Sequence, residues 1–155
     1  MSELNAVPTE TRWPAHLQPS ALRWVRSSAN YDGTVAFYRD LVGLPVVGSF
    51  SESFGEDGTI FGLPGTAIHM EVVRSQPTNG NADRFDQLVF YLAGVAALAP
   101  ALESLLQTGL TPVSDPHPYW KANGAVVFLD PDGRGVVYAP WIFGRQPDPI
   151  DRAPR

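Results

Sequence analysis

The chain has 155 residues, 44% of them hydrophobic and 17% charged, and its formal net charge at neutral pH is -5. These values predict a soluble globular domain with a hydrophobic core and exclude a disordered chain. Phosphate binding requires clustered cations, so the acidic balance argues against nucleic acid as a partner. The sequence has no cysteine, which excludes disulfides, thiolate catalysis and zinc–thiolate sites.

The ends of the chain differ in composition from its middle. Residues 1–19 are rich in proline and polar residues and predict a loose arm, and residues 143–155 predict a tail. Residues 20–142 predict a single domain. Because we find no signal-peptide pattern and no apolar run of bilayer length, we predict a cytoplasmic protein that does not contact a membrane.

The first half of the domain, about residues 20–75, predicts one strand, one helix and three further strands. Asn30 or Asp32 is the expected N-cap of the helix, and Gly43 is its expected end. The predicted strands are "ALRWVRSS" (21–28), "PVVGSFS" (45–51), "GTIFGL" (58–63) and "TAIHMEVVRS" (66–75).

The second half, about residues 84–142, predicts the same order of elements. Its helix is expected within residues 95–110, either starting near Pro100 or kinked there. The predicted strands are "DQLVFYLAG" (86–94), "TPVSD" (111–115), "GAVVFLD" (124–130) and "GVVYAPW" (135–141). The repeat predicts an α+β fold of two βαβββ modules, whose curved mixed sheets surround a cleft suited to a ligand.

Two stretches of the chain carry a family resemblance: "AFYRDLVGLPVV" (36–47) and "VFLDPDGRGVVYA" (127–139). With them, the chain resembles the vicinal oxygen chelate superfamily, which includes glyoxalases, bleomycin resistance proteins and extradiol dioxygenases. The resemblance implies the fold, whereas the reaction stays open because this scaffold supports many chemistries. It also implies a homodimer, for which Trp141 and Phe143 in the apolar end of the chain are the candidate contacts.

Metal enzymes of that superfamily hold an ion on the inner faces of four strands. The resemblance places those four positions on Arg23, Glu71, Gln87 and Val137. A guanidinium has no lone pair to donate and valine has no donor atom. We therefore expect no metal cofactor, with a pair between Arg23 and Glu71 in its place, and we keep a divalent metal ion as the alternative.

Three polar residues in the first half are candidates for ligand contact. His69 and Glu71 share one face of their strand and could form a polar pair in the cleft wall, a base with its orienting acid, or part of a rearranged metal site with Gln87. Arg23 could form a salt bridge at the strand end or hold an anion or a carbonyl group.

The second half adds aromatic candidates. The loop "DPHPYWKANG" (115–124) contains Tyr119 and Trp120, which either pin the loop by packing or stack on a flat ligand. Tyr91 shares a face with Gln87 and is either core or a hydroxyl that points into the cleft.

Two functional hypotheses follow. The first is a metal-independent protein of the glyoxalase/bleomycin-resistance type that binds an amphipathic small molecule. The second is a metal-dependent or His-based lyase, isomerase or dioxygenase of the glyoxalase superfamily with His69 and Glu71 as catalytic residues, so the sequence leaves enzymatic activity open. The predicted ligand-binding residues are Arg23, His69, Glu71, Gln87, Tyr91, Tyr119 and Trp120.

Overall fold

The computed structural model describes residues 12, 15–16, 19–76 and 86–140. The predicted tail at 143–155 lies outside them, and so do the candidate dimer contacts Trp141 and Phe143. The chain forms two compact units. We call the first, Ala15–Arg84 with Asp130–Arg134, the N-unit, and the second, which contains Phe85–Leu129 and begins again at Gly135, the C-unit.

The N-unit contains a four-stranded sheet in the order β1-β4-β3-β2. β1 runs parallel to β4, whereas the β3–β4 and β2–β3 pairs are antiparallel. One face of this sheet is built from large buried side chains, among them Phe61, Met70 and Val72. The strands are β1 (Leu22–Ser28), β2 (Val46–Ser53), β3 (Glu56–Gly62) and β4 (Ile68–Arg74).

The helix of the N-unit begins as α1 (Tyr31–Ala36) and continues as a π-helical turn over Phe37–Val42. It ends as predicted at Gly43, whose φ of 85° is the left-handed conformation that glycine favours. Asn30 occupies the predicted N-cap position, but its side chain forms no cap hydrogen bond. Its Nδ2 donates to the Pro131 carbonyl oxygen at 3.0 Å.

The C-unit contains a three-stranded sheet in the order β5-β7-β6, with β5 parallel and β6 antiparallel to β7. A 3₁₀ turn at Val95–Ala97 leads into α2, so Pro100 lies in the first turn of the helix, where proline is tolerated. The elements are β5 (Gln87–Tyr91), α2 (Leu98–Gln107), α3 (Pro118–Ala122), β6 (Val126–Leu129) and β7 (Gly135–Ala139).

Two predictions for the C-unit are wrong. Residues 111–115 form no strand. Pro112 has no N–H to donate, and Val113 N–H donates to the Val127 carbonyl oxygen at 2.8 Å, next to β6. The predicted loop at 115–124 contains the short helix α3, in which His117 is the N-cap and Pro118 the first residue.

Both sheets combine parallel and antiparallel pairs, which confirms the α+β class with mixed sheets. None of the helices in the described part of the chain is long and apolar enough to cross a membrane.

The "DPDG" turn packs into the N-unit through a buried polar network. Asp130 Oδ2 accepts from Tyr38 Oη at 2.8 Å and from Arg26 Nη1 at 3.5 Å. Asp130 Oδ1 accepts the backbone N–H groups of Asp132 and Arg134, each at 2.9 Å. Asp130 therefore closes its own turn and also neutralises a buried arginine of β1.

Candidate functional site

Strand register brings the N-unit candidates onto one face of the sheet. Arg23 lies opposite His69, which lies opposite Gly62, and these three form one row across β1, β4 and β3. In the next row, Glu71 lies between Val25 and Ile60. Side chains two residues apart on a strand share a face, so all of these residues face away from the Phe61 and Met70 side.

Arg23 and Glu71 form the predicted ion pair. Arg23 Nη1 donates to Glu71 Oε2 at 2.9 Å, although the residues are 48 positions apart. The Glu71 side chain is 11% exposed and the Arg23 side chain 49%. The carboxylate is thus largely withdrawn from water and paired by a cation that stays accessible on the outer side.

His69 is half-buried in the same face and has no side-chain hydrogen bond or ion pair within the described residues. Glu71 accepts from Arg23 and not from His69. Because an orienting acid must hydrogen-bond its base, the arrangement of His69 as a base held by Glu71 is not formed here.

The C-unit candidates form a second group on one face of the β5-β7-β6 sheet. Gln87 lies opposite Gly135, Val89 opposite Val137, and Tyr91 opposite Ala139. Val137 has no exposed surface.

Trp120 covers this face of the C-unit sheet. Its ring packs with Val127, Val137 and Ala139 in a buried cluster, and the residue is 9% exposed. Trp120 Nε1 donates to Gln87 Oε1 at 3.2 Å. Trp120 is therefore part of the core, and a hydrogen bond satisfies its indole N–H.

The short helix that carries Trp120 explains its placement. His117 Nδ1 accepts the backbone N–H of Tyr119 at 3.2 Å, which caps α3. A capping residue followed by proline is a helix-start pattern, and in "HPYW" it was the available signal for α3. The Tyr119 ring meets the Trp120 ring edge-on at 4.9 Å between centroids.

Tyr91 is 40% exposed at the end of the same face. Burial first, and then the neighbouring Tyr119, raise the pKa of Tyr91 above its usual value. The Tyr91 hydroxyl is therefore neutral at physiological pH and offers this face a phenol without a formal charge.

The other face of the C-unit sheet holds a buried phenol without a partner. Tyr138 is 4% exposed and packs against Phe90 and Phe128, at 5.5 and 6.4 Å between ring centroids. Its hydroxyl has no hydrogen-bond partner within the described chain, and burial raises the pKa of Tyr138 to about 12. An unsatisfied buried hydroxyl costs stability, because it loses its bonds to water and gains none.

We predict that Tyr138→Phe increases the free energy of unfolding at neutral pH by ~1 kcal/mol. A tyrosine has a pKa of ~10 when unfolded, so above this pH the unfolded chain loses the proton before the folded one does. The contribution of Tyr138 to stability is therefore fully present below pH ~10, and in the wild type it is lost by ~1.4 kcal/mol per pH unit as the pH rises toward ~12. Urea unfolding at several alkaline pH values should show that the variant lacks this part of the loss. Parallel curves for both proteins would contradict the assignment.

The four positions that the resemblance implies for a metal do not suit one. Arg23 and Val137 offer no donor atom, Glu71 accepts from Arg23, and Gln87 accepts from Trp120. Within the described ranges, no three His, Asp or Glu side chains lie close enough together to hold an ion. The donor set at these positions does not fit a divalent metal ion.

Comparison with known proteins identifies the family. Residues 22–73 match the model of the YycE-like N-terminal domain, and residues 86–139 match that of the YycE-like C-terminal domain. The protein YycE of Bacillus subtilis (strain 168) is 32% identical over 123 residues, covering 78% of this chain and 88% of YycE. The chain belongs to the YycE-like family.

Solved structures agree with this family assignment. The crystal structure of a YycE protein of unknown function from Bacillus subtilis, proposed to be a glyoxalase/fosfomycin resistance protein, has a TM-score of 0.75 and 30% identity, covering 86% of this chain and all of that one. The family therefore lies within the vicinal oxygen chelate superfamily, as the resemblance predicted.

Two more distant structures share the fold alone. The fosfomycin resistance protein FosX of Listeria monocytogenes, solved with Mn(II) and 1S,2S-dihydroxypropylphosphonic acid, has a TM-score of 0.59 and 10% identity, covering 81% of this chain and 94% of FosX. Lactoylglutathione lyase of Agrobacterium tumefaciens has a TM-score of 0.55 and 20% identity, covering 78% of this chain and 93% of that enzyme.

One structurally important residue escaped the sequence analysis. Arg26 lies on the opposite face of β1 from Arg23, is 5% exposed, and stacks over the Trp24 ring at 4.3 Å. The alternation in "RWVR" indicates that Arg26 faces away from Arg23, and a buried arginine requires a partner. That partner, Asp130, is 104 residues away in sequence and is brought close only by the fold.

Proposed function

We propose that this YycE-like chain is a metal-independent small-molecule-binding protein of the glyoxalase/bleomycin-resistance type. It would act as a cytoplasmic homodimer and take an amphipathic ligand on the Arg23 face of the N-unit sheet. The observation that carries the proposal is the ion pair between Arg23 Nη1 and Glu71 Oε2 at 2.9 Å.

The ion pair supports binding without metal through its electrostatics. A largely buried carboxylate needs a cation, and Arg23 supplies one from within the chain. A metal that approached Glu71 would have to displace this guanidinium, which stays charged at all relevant pH values. The affinity for an ion would fall further because the site lacks several donors at once.

Gln87 and Val137, the two C-unit positions that the resemblance implies for a metal, also support binding without a metal. Val137 and the Gln87 amide oxygen both contact Trp120, whose indole fills the space over the strands. Freeing these groups for an ion would require a buried tryptophan to leave its core site.

Exposed apolar side chains support a ligand with an apolar part. Val25 on β1 is 54% exposed, and Val47 on β2 is 57% exposed. The Val47 Cγ1 atom lies 2.9 Å from where a Cβ of Gly62 would be, so it leans over the row that contains His69. Polar and apolar groups thus lie side by side on one sheet face, as small-molecule sites require.

The test is the metal content of protein purified without chelators, together with its thermal unfolding. We expect substoichiometric manganese, iron, nickel and zinc, and the same Tm with EDTA or with any of these metals added. A ligand that binds only the folded state raises Tm, so a metal site would be visible in this assay. Arg23→His, which restores a donor beside Glu71, is the matched variant in which a metal-dependent shift becomes possible.

One tightly bound transition metal per chain in the wild type would overturn the proposal. So would binding of a small-molecule probe that is abolished by EDTA and restored by a metal.

A further inference from the structure

Much of the Arg23 guanidinium remains available after it pairs with Glu71. Among the described residues, only Nη1 is engaged, in one hydrogen bond to Glu71 Oε2. Its Nε and Nη2 make no hydrogen bond within the described residues, and the side chain is 49% exposed. Arginine has five N–H donors in one plane, so a complete two-donor edge of Arg23 is free.

A free Nε/Nη2 edge has a defined chemical complement. Its two parallel N–H groups match the two oxygens of a planar carboxylate, and such bidentate pairs are the strong form of charge-assisted hydrogen bond. We propose that the ligand of the N-unit face carries a carboxylate that binds this edge of Arg23, an inference that rests on the proposed function and names its ligand class.

His69 supplies the second polar contact. It lies beside Arg23 in the same row of the sheet, and neither of its ring nitrogens has a partner within the described residues. On its other side is Gly62, which adds no side chain to the face. A carboxylate on Arg23 can therefore also accept an N–H bond from the imidazole.

Glu71 affects the selectivity of the site because little of its carboxylate is accessible to a ligand. Its side chain is 11% exposed, and the neighbouring residues across the sheet are Val25 and Ile60. A cationic ligand could reach little of this carboxylate and would be repelled by the exposed Arg23. Glu71 fixes the guanidinium in place, which spares the ligand part of the entropy of ordering it.

The rest of the ligand is expected to be compact and apolar. Val25 and Val47, both more than half exposed, flank the row of Arg23 and His69. A carboxylate attached directly to a ring system would allow the charged group to meet Arg23 while the ring covers a valine.

The experiment compares three probes of one shape: 2-naphthoate, the neutral 2-naphthamide and the cationic 2-naphthylmethylammonium, all with EDTA present. We expect calorimetry to give 2-naphthoate an affinity at least about tenfold higher than the amide, the gain typical of a charge-assisted pair. NMR should show the Arg23 Nε–H and His69 ring signals shifting with 2-naphthoate. Arg23→Gln should remove the preference for carboxylate over amide. The matched control Arg39→Gln, at another arginine with a half-exposed side chain, should keep it.

Equal affinity for naphthoate and naphthamide, or tighter binding of the ammonium probe, would overturn the carboxylate inference and leave the metal-independent binder standing. A carboxylate preference that survives Arg23→Gln would also overturn it, as would failure of all three probes to bind. A stoichiometric metal would instead overturn the proposed function itself.

Discussion

Asp130→Ala is expected to lower the free energy of unfolding by ~3–5 kcal/mol, a large share of the stability of a domain of this size. The Asp130 side chain has no exposed surface, and that of its partner Arg26 is 3% exposed. Removal of the carboxylate takes a counter-ion away from a buried guanidinium, which is a damaging way to break an ion pair.

Two further losses add to this effect. The Tyr38 hydroxyl donates to Asp130 Oδ2 and has no exposed surface. Burial first, and then the charge of Asp130, raise the pKa of Tyr38 above its usual value, so the phenol stays protonated and able to donate. The turn itself also loses the acceptor of the Asp132 and Arg134 backbone N–H groups.

Chemical unfolding of the full chain measures this prediction. The matched control is Asp115→Ala, because Asp115 is paired with Lys121 and its side chain is 88% exposed, and we expect a change below ~0.5 kcal/mol there. The double variant Arg26→Met/Asp130→Leu should recover much of the loss, because it removes both charges together. A loss in Asp130→Ala no larger than in the control would contradict a buried, neutralising role for this residue.

Trp120→Ala should destabilise the protein by ~3–5 kcal/mol, as expected for deletion of a buried aromatic ring. The ring packs on Val127, Val137 and Ala139, and its Nε1 donates to Gln87. Trp120→Phe keeps much of the packing and removes the hydrogen bond, so its cost should be smaller, ~1–2 kcal/mol.

This experiment also separates the two interpretations of the loop at 115–124. A tryptophan that only stacks on a ligand would leave the unfolding curve of the free protein unchanged and weaken ligand binding alone. The matched control is Phe54→Ala, since Phe54 is a fully exposed aromatic residue at the turn between β2 and β3. If Trp120→Ala were as mild as this control, the indole would not be part of the C-unit core.

Together, these contacts assign different roles to the two units. In the N-unit, Arg23 and His69 present polar atoms on a sheet face beside exposed valines. In the C-unit, Trp120 covers the corresponding face of the sheet and engages Gln87. One half of the chain thus has accessible polar groups on its sheet face, whereas in the other half a buried indole covers part of the sheet face.

In the N-unit, the order of elements and the faces of the strands could be predicted from sequence alone. Alternation in "IHMEVV" and "RWVR" places Glu71 and Arg23 on faces that the fold brings together, and Gly43 ends the helix because few other residues adopt its conformation. These features depend on neighbours within a few residues, so local sequence is sufficient to determine them.

Only the tertiary structure decided which groups meet. Asp130 pairs with an arginine 104 positions away, Trp120 lies buried on Val137, and His69 stays without the acid that sequence spacing offered it. Residues 111–115 pattern as a strand but do not form one. Periodicity determines the direction in which a side chain points. Its partner depends on which segments, distant in sequence, pack together, and no local pattern encodes that choice.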